Sequence, residues 1–148
     1  MSEARIIGID PGGDGALVVI DTNMHVVDEM RFKKSTWESV ADKIEDYKDG
    51  YFVLEEPHGV FSAGSSSSFK FGKSCGRLEG ILLGLFVKYE TVKPKAWQKE
   101  VWVSGSGKPK DRSLDTALSY GFPFTHNGLV DAYLIAVYGC KKKLLNAK

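Results

Sequence analysis

Short apolar runs near the start of the chain predict three antiparallel strands. The first run, Arg5 to Asp10, is followed by a glycine-rich turn and a second run, Ala16 to Asp21. A third run, His25 to Arg31, comes after the turn Thr22-Asn23. Because β-branched runs joined by Gly- or Asn-containing turns are typical of hairpins, the chain is predicted to open as a three-stranded meander.

A helix and a fourth strand are predicted next. Ser35-Thr-Trp-Glu38 has the spacing of a capping box, and apolar residues then recur at helical intervals to about residue 48. Tyr51 to Glu55 is a short apolar run that also ends in an acid, and Pro57 stops it. The first and fourth predicted strands therefore both end in carboxylates.

The second half of the chain is predicted to be mainly helical. The serine-rich segment 62–68 predicts a mobile loop, and a long helical pattern runs from about Phe69 to Phe86. The elements that follow are a fifth strand at Thr91-Val92, helices at Pro94–Glu100 and Asp111–Tyr120, and a closing helix from Asn127 to about Lys142. This order is similar to that of an α/β, ribonuclease-H-like fold, with a five-stranded mixed sheet (three antiparallel strands, then two parallel) flanked by helices.

Length and composition fit one ordinary globular domain. The 148 residues are 43% hydrophobic and 26% charged, so we expect a single domain over 1–148. Cys75 and Cys140 are far apart and have no partner at metal-ligand spacing. The sequence shows no signal peptide or apolar run of membrane-spanning length, so we expect a cytoplasmic protein without a membrane partner.

Charge is distributed unevenly along the chain. Residues 1–58 carry 6 Lys/Arg and 13 Asp/Glu, whereas residues 59–112 carry 10 Lys/Arg and 4 Asp/Glu. An electropositive segment in a protein of net charge +1 favours contact with phosphates, while the acidic part favours cations. The candidates for contact with the phosphates of a polyanion such as DNA are the basic residues Lys70, Lys73, Arg77, Lys93, Lys95, Lys108, Lys110 and Arg112.

Three acids fall at positions where the predicted fold would bring them together. Asp10 ends the first strand, Glu55 ends the fourth, and Asp131 lies near the start of the last helix. Hydrolysis of a phosphodiester by two divalent ions needs several carboxylates in a small volume. A single acid at a strand end is usually a turn or capping residue, so the triplet in this element order is what favours a metal site.

Several short motifs resemble those of RuvC-type Holliday junction resolvases, particularly small phage-type members. The motifs, in chain order, are Ile7-Gly-Ile-Asp-Pro-Gly12 with Gly15, Val53-Leu-Glu55, Phe71-Gly-Lys-Ser-Cys-Gly76, Val92-Lys-Pro with Trp97, and Val130-Asp-Ala132 with Leu134-Ile-Ala136. The resemblance covers nearly the whole chain. It implies a Mg²⁺-dependent endonuclease, with Mn²⁺ as a substitute, that cleaves branched DNA, especially four-way junctions, in recombination and repair.

The resemblance also implies a role for each acid. Asp10 would bridge two metal ions, Glu55 would ligate one or both, and Asp131 would ligate from the helix. Glu56 competes with Glu55, and strand alternation alone leaves the choice open. The family pattern places the catalytic acid directly after the apolar pair, which implies Glu55.

The family usually supplies a fourth ligand one helical turn before the last acid, and here the chain departs from the pattern. Asn127 lies four residues before Asp131, with His126 and Gly128 beside it. Asn127 has two open interpretations, a weak metal ligand or the N-cap of the helix. The alternative function is therefore a catalytically weak or inactive protein that binds junctions.

A four-way junction has near two-fold symmetry, so paired incisions predict a C2 homodimer. The interface is expected on the helix of about residues 69–86, where Gly76 and Gly80 would permit close approach. Phe61 and Phe69 are candidates for wedging or stacking at the junction centre, although Phe69 is better explained as an anchor of the loop. A sugar-kinase or actin-like ATPase, whose hairpin the N-terminal motif also resembles, needs two such domains, and 148 residues cannot supply them.

Overall fold

The computed structural model describes residues 3–56, 64–103 and 107–146. The strands are β1 (Ile6–Asp10), β2 (Ala16–Ile20), β3 (Val26–Arg31), β4 (Tyr51–Glu55) and β5 (Tyr89–Val92). The helices are α1 (Trp37–Asp46), α2 (Ser65–Gly84), α3 (Pro94–Val101), α4 (Pro109–Ser119) and α5 (Asn127–Asn146), and a 3-10 turn, Phe32–Lys34, follows β3.

The five strands form one mixed sheet in the order β3-β2-β1-β4-β5. β1 pairs antiparallel with β2, and β2 with β3, as the predicted meander requires. β4 lies parallel to both β1 and β5. A helix precedes each of the two later strands, α1 before β4 and α2 before β5, and it carries the chain back so that the strand runs in the same direction as its neighbour. The predicted sheet of three antiparallel strands followed by two parallel strands is confirmed.

Strand alternation divides the core into two apolar layers. Ile6 and Val53 belong to the layer that packs with α5, whereas Ile7 and Phe52 belong to the layer beneath α1 and α2. Since neighbours along a strand point to opposite faces, every second residue of β1 and β4 faces α5. This alternation decides which polar side chains at the strand ends can meet the last helix.

Gly8 allows α5 to lie directly on β1. A Cβ atom at Gly8 would overlap the carbonyl oxygen of Ala132, so only glycine fits at this crossing. Gly139 of α5 allows the same close approach to β4, where a Cβ would lie 2.8 Å from Cγ2 of Val53. The close crossing fixes the start of α5 next to the end of β1.

Several element boundaries differ from the sequence prediction. Ser65–Ser68 form the first turn of α2, with the Ser68 N–H donating to Gly64 O at 3.1 Å, so this part of the predicted loop is wrong. Serine is tolerated in a first helical turn, where several N–H groups have no partner within the helix. β5 and α5 are longer than predicted. The remainder of the predicted loop and Phe61 lie outside the described residues. Within the described part of the chain, no helix is both long and apolar enough to cross a membrane.

Candidate active site

Asp10 is held at the end of β1 by the glycine turn that follows it. The Gly12 N–H donates to Asp10 Oδ1 at 3.0 Å, and the Gly15 N–H donates to Gly12 O at 2.9 Å. A Cβ at Gly15 would overlap the carbonyl oxygen of Asp10, so the turn closes this tightly only with glycine. Desolvation by burial raises the pKa of Asp10 to about 6, against the opposing hydrogen bond from Gly12.

Glu55 ends the strand next to Asp10. The parallel register pairs Ile9 with Leu54, so Asp10 and Glu55 lie at the same edge of the sheet. The indole Nε1–H of Trp97 donates to Glu55 Oε2 at 2.7 Å. Burial and the charges of Asp10 and Asp131 together raise the pKa of Glu55 to about 7, against the opposing hydrogen bond from Trp97.

Strand alternation separates Glu55 from Glu56. Glu55 is two residues after Val53 and so shares the face of the sheet that packs against α5, which is also the face of Trp97. Glu56 comes one residue later, where its backbone N–H donates to Val92 O at 2.7 Å. The structure therefore groups Glu55, rather than Glu56, with Asp10.

Asp131 reaches the site from the second turn of α5. Burial and the charge of Asp10 together raise the pKa of Asp131 to about 7, and a hydrogen bond from Ser113 opposes the shift. Ser113 in turn accepts a hydrogen bond from Trp102 Nε1 at 2.9 Å. Ser113 is buried, so its hydroxyl links the indole of Trp102 to the carboxylate of Asp131.

The two indoles that serve these carboxylates also pack against each other. The rings of Trp97 and Trp102 meet edge to face, with centroids 6.2 Å apart and planes at 83°. Their apolar bodies lie in or against the core layer next to α5, while their N–H groups reach polar partners. Neither Trp102 nor Ser113 is among the site residues predicted from the sequence. A Trp soon after a strand whose neighbour ends in an acid is the only local signal that could have suggested such a role.

The hydrogen bonds at the start of α5 show which residue caps the helix. His126 Nδ1 accepts from the Leu129 N–H at 3.2 Å, and His126 O accepts from the Val130 N–H at 2.9 Å. His126 is therefore the N-cap, and the capping interpretation of Asn127 is wrong. Asn127 lies one position later and lines a small cavity of about 60 Å³ together with Asp131.

Gly128, three residues before Asp131, cannot be replaced by a residue with a side chain. A Cβ there would overlap the carbonyl oxygen of Asp14, because the glycine turn after β1 packs directly on the helix. The family's fourth acid at this offset is thus excluded by backbone packing. Asn127 is the adjacent position that faces the same cavity as Asp131.

The donor set suits a hard cation, although it does not enclose one. Asp10, Glu55 and Asp131 offer carboxylate oxygens, the ligands that Mg²⁺ prefers, and the charge of Asp10 raises the pKa of both Glu55 and Asp131. In residues 3–56, 64–103 and 107–146, no three His, Cys, Asp or Glu side chains already stand in an arrangement that could hold a metal ion. The three acids therefore form a repulsive cluster that a cation between them would stabilise.

The predicted basic residues lie on three separate elements. Lys70, Lys73 and Arg77 are exposed on α2, and Arg77 stacks over the ring of Trp37 at 5.3 Å. Lys93 and Lys95 are exposed on either side of Pro94, and Lys108 is exposed before α4. Two residues of α4 have contacts at the site. Lys110 lines the cavity with Asp131 and lowers the pKa of Asp131. Arg112 stacks over Trp102 at 4.5 Å.

No protein-family model and no curated protein matches the chain. Among solved structures, it is similar to RuvC of T. thermophilus in complex with a Holliday junction substrate, with a TM-score of 0.65, 13% identity, and coverage of 95% of this chain and 96% of that one. The structure of Thermus thermophilus RuvC gives a TM-score of 0.64, 14% identity and coverage of 96% of both chains. The chain therefore has the ribonuclease-H-like fold found in RuvC.

Proposed function

We propose that this protein is a single-domain endonuclease that cleaves Holliday junctions and other branched DNA with divalent metal ions. The observation that carries the proposal is the convergence of Asp10, Glu55 and Asp131, from two strands and one helix, on a fold that it shares with RuvC. The T. thermophilus neighbour is bound to a Holliday junction substrate. Mutually repelling carboxylates are unfavourable without a cation, so the cluster suits a metal-dependent reaction.

The carboxylates of Asp10, Glu55 and Asp131 would hold two Mg²⁺ ions, or Mn²⁺ in their place. When bound, these ions would supply Lewis acidity to the attacking water and the leaving oxygen of the phosphodiester. The chain's own groups orient the ligands. Gly12 fixes one oxygen of Asp10, Trp97 fixes one oxygen of Glu55, and Ser113 fixes the carboxylate of Asp131. Such outer partners keep ligands in place before the metal arrives.

The basic residues would position the DNA and supply most of its affinity without reading sequence. Lys110 of α4 is exposed and lines the cavity with Asp131, and Arg112 stacks on Trp102, whose indole is bonded to Ser113. We therefore assign these two residues to the phosphates next to the cleavage point. The residues of α2 and those flanking Pro94 would contact more distant arms of the branched substrate.

The proposal includes a homodimer that pairs through α2. Gly72, Gly76, Gly80 and Gly84 recur every four residues, and apart from the helix's own nearby backbone no described atom lies within 4 Å of where their Cβ atoms would be. Phe69, Leu83 and Phe86, in or just after this helix, are large apolar residues that are 70%, 63% and 92% exposed. A second copy would cover this apolar surface and place two active sites on one junction.

One observation favours a second candidate, a protein that binds junctions but cleaves them weakly. The backbone packing at Gly128 leaves no room for an acid there, and Asn127 brings no charge to the cavity beside Asp131. A site with three negative charges holds two dications less firmly than a site with four. This candidate keeps the same DNA surface and differs only in cleavage rate.

A labelled four-way junction incubated with Mg²⁺ or Mn²⁺ tests the proposal. We expect symmetric paired incisions near the branch point and no cutting of the matched linear duplex. Binding of the junction without incision in either metal would favour the second candidate. Absence of both binding and incision would overturn both.

A further inference from the structure

A second feature of the molecule lies on the other side of the glycine turn from Asp10. A cavity of about 490 Å³ opens between the end of β3, the following 3-10 turn and the segment that leads into α5. Its lining includes Glu29, Arg31, Lys34, Ser35, Phe124 and His126. None of these residues belongs to the carboxylate cluster or to the basic residues discussed above. The volume is within the range of small-ligand sites and exceeds what a phosphate alone would need.

The polar side chains of the cavity are mainly hydrogen-bond donors. Arg31 and Lys34 bring two positive charges against the one negative charge of Glu29. The Nε–H of Arg31 is buried and finds no hydrogen-bond partner among the described residues. An unsatisfied guanidinium N–H in a cationic cavity is typical of a site for an anion with several oxygens, such as phosphate.

His126 adds a further donor because its other nitrogen is already used. Nδ1 accepts the Leu129 N–H, so the proton of the neutral ring is on Nε2. The N-terminus of α5, which His126 caps, also contributes a partial positive charge to the cavity.

The turn between β1 and β2 links the active site to the segment next to the cavity. Lys33, next to Lys34, pairs with Asp14 Oδ1 at 2.8 Å, and the Phe32 N–H donates to Gly15 O at 3.1 Å. The charge of Asp14 acts on both Asp10 and His126. The turn that holds Asp10 is therefore also bonded to the segment next to the cavity.

We propose that this cavity binds one nucleotide unit of the substrate strand, next to the phosphate that is cut. Arg31, Lys34 and His126 would hold its phosphate, and the partly buried ring of Phe124 would contact the sugar or base. That the nucleotide belongs to a DNA strand rests on the proposed nuclease function. The shared chemistry, a phosphate on a nucleoside, also fits a free mononucleotide.

Two neighbouring lysines provide a matched test. Lys34 lines the cavity, whereas Lys33 is ion-paired to Asp14 outside its lining. Both are exposed, so Lys34→Gln and Lys33→Gln make the same change of charge with little risk to folding. Junction binding is measured by anisotropy against salt concentration, with metal omitted. We expect Lys34→Gln to reduce the slope of log affinity against log salt by about 0.9, and Lys33→Gln to leave the slope unchanged.

The second arm uses dAMP and the ring resonances of His126, assigned with His126→Gln. We expect dAMP to shift these resonances in the wild-type protein, with roughly tenfold weaker binding in Lys34→Gln. Equal salt slopes for the two lysine variants, together with no shift by dAMP, would overturn the cavity proposal even if junctions are cut. A dAMP shift that depends on Lys34 in a protein that binds no DNA would support the nucleotide site and overturn the nuclease.

Discussion

The indole Nε1–H of Trp97 donates to Oε2 of Glu55 at 2.7 Å, across a separation of 42 residues in sequence. Trp97 is fully buried, so it provides a rigid donor to a carboxylate that otherwise faces Asp10 and Asp131. A hydrogen bond to the charged form favours ionisation and fixes which oxygen remains free. The relationship makes Trp97 a positioning residue for the proposed metal site.

Replacing Trp97 with Phe should weaken metal binding more than it changes DNA binding. Loss of a charge-assisted hydrogen bond, worth roughly 1.5–3 kcal/mol, should raise the half-saturating Mg²⁺ concentration about tenfold or more. The pKa of Glu55 should rise above about 7, which moves the acid limb of the cleavage profile to higher pH. Metal titrations and pH profiles of junction cleavage check this. Trp37→Phe, on the opposite layer of the core, is the control and should leave both unchanged.

Asp10→Asn should abolish cleavage and retain junction binding, because it removes charge from the central ligand and leaves the basic surface intact. We expect a loss of roughly three orders of magnitude in rate, the scale on which essential transition-state stabilisation is lost. Single-turnover cleavage and anisotropy measure the two properties separately. Equal loss of binding and cleavage would contradict the assignment.

Glu55→Gln should resemble Asp10→Asn, whereas Glu56→Gln should be milder. The physical reason is that Glu55 lies on the α5 face of the sheet, where Trp97 and Asp131 also lie. The same single-turnover assay ranks the variants. The opposite ranking of the two glutamates would show that the metal is bound from the other face.

The metal-free protein should lose stability as the pH rises from about 4 to about 7. The pKa values of Asp10, Glu55 and Asp131 are raised to about 6, 7 and 7. In this range the folded protein binds more protons than the unfolded chain, so the free energy of unfolding falls with increasing pH. Melting temperatures in EDTA across this range measure the effect. Mg²⁺ at pH 7 should restore the stability, and Asp10→Asn should flatten the dependence.

Asn127→Asp should strengthen metal binding and raise the cleavage rate. It adds one negative charge to the cavity beside Asp131, and an acid in the first turn also suits the helix dipole, worth roughly 0.3–1 kcal/mol. Because His126 supplies the cap, the fold does not depend on Asn127. Cleavage and melting temperature against metal concentration provide the measurement. Gly128→Asp is the contrasting variant and should unfold the protein, since its Cβ would overlap Asp14 O.

Gly76→Leu should convert the proposed dimer to a monomer. The glycine has open space around it within one copy, so the leucine should be tolerated by the fold and should obstruct only a second α2. Light scattering of the free and junction-bound protein measures the mass. Ala96→Leu, at an exposed position of α3, is the control. A wild-type protein that is monomeric in both states would rule out the pairing.

The sequence by itself determined the order of the elements and the two strands that end in acids. These features depend on local patterns, because an apolar run, a glycine turn or a capping box acts on neighbouring residues. Asp10 and Glu55 could therefore be placed at strand ends, and their mutual proximity follows from the parallel pairing that the element order implies. The same element order placed Asp131 near the start of the last helix, and the resemblance to RuvC motifs supplied the role of each acid.

Tertiary structure alone decided which groups support these acids. Glu55 lies on the face of the sheet that packs against α5, and only the packed core shows which face that is. Ser113 meets Trp102 and Asp131 only when α3, α4 and α5 pack together. The exclusion of an acid at Gly128 arises from the carbonyl of Asp14, 114 residues earlier in the chain. Such contacts join residues that no local pattern relates, because they form through space once the core has placed the elements.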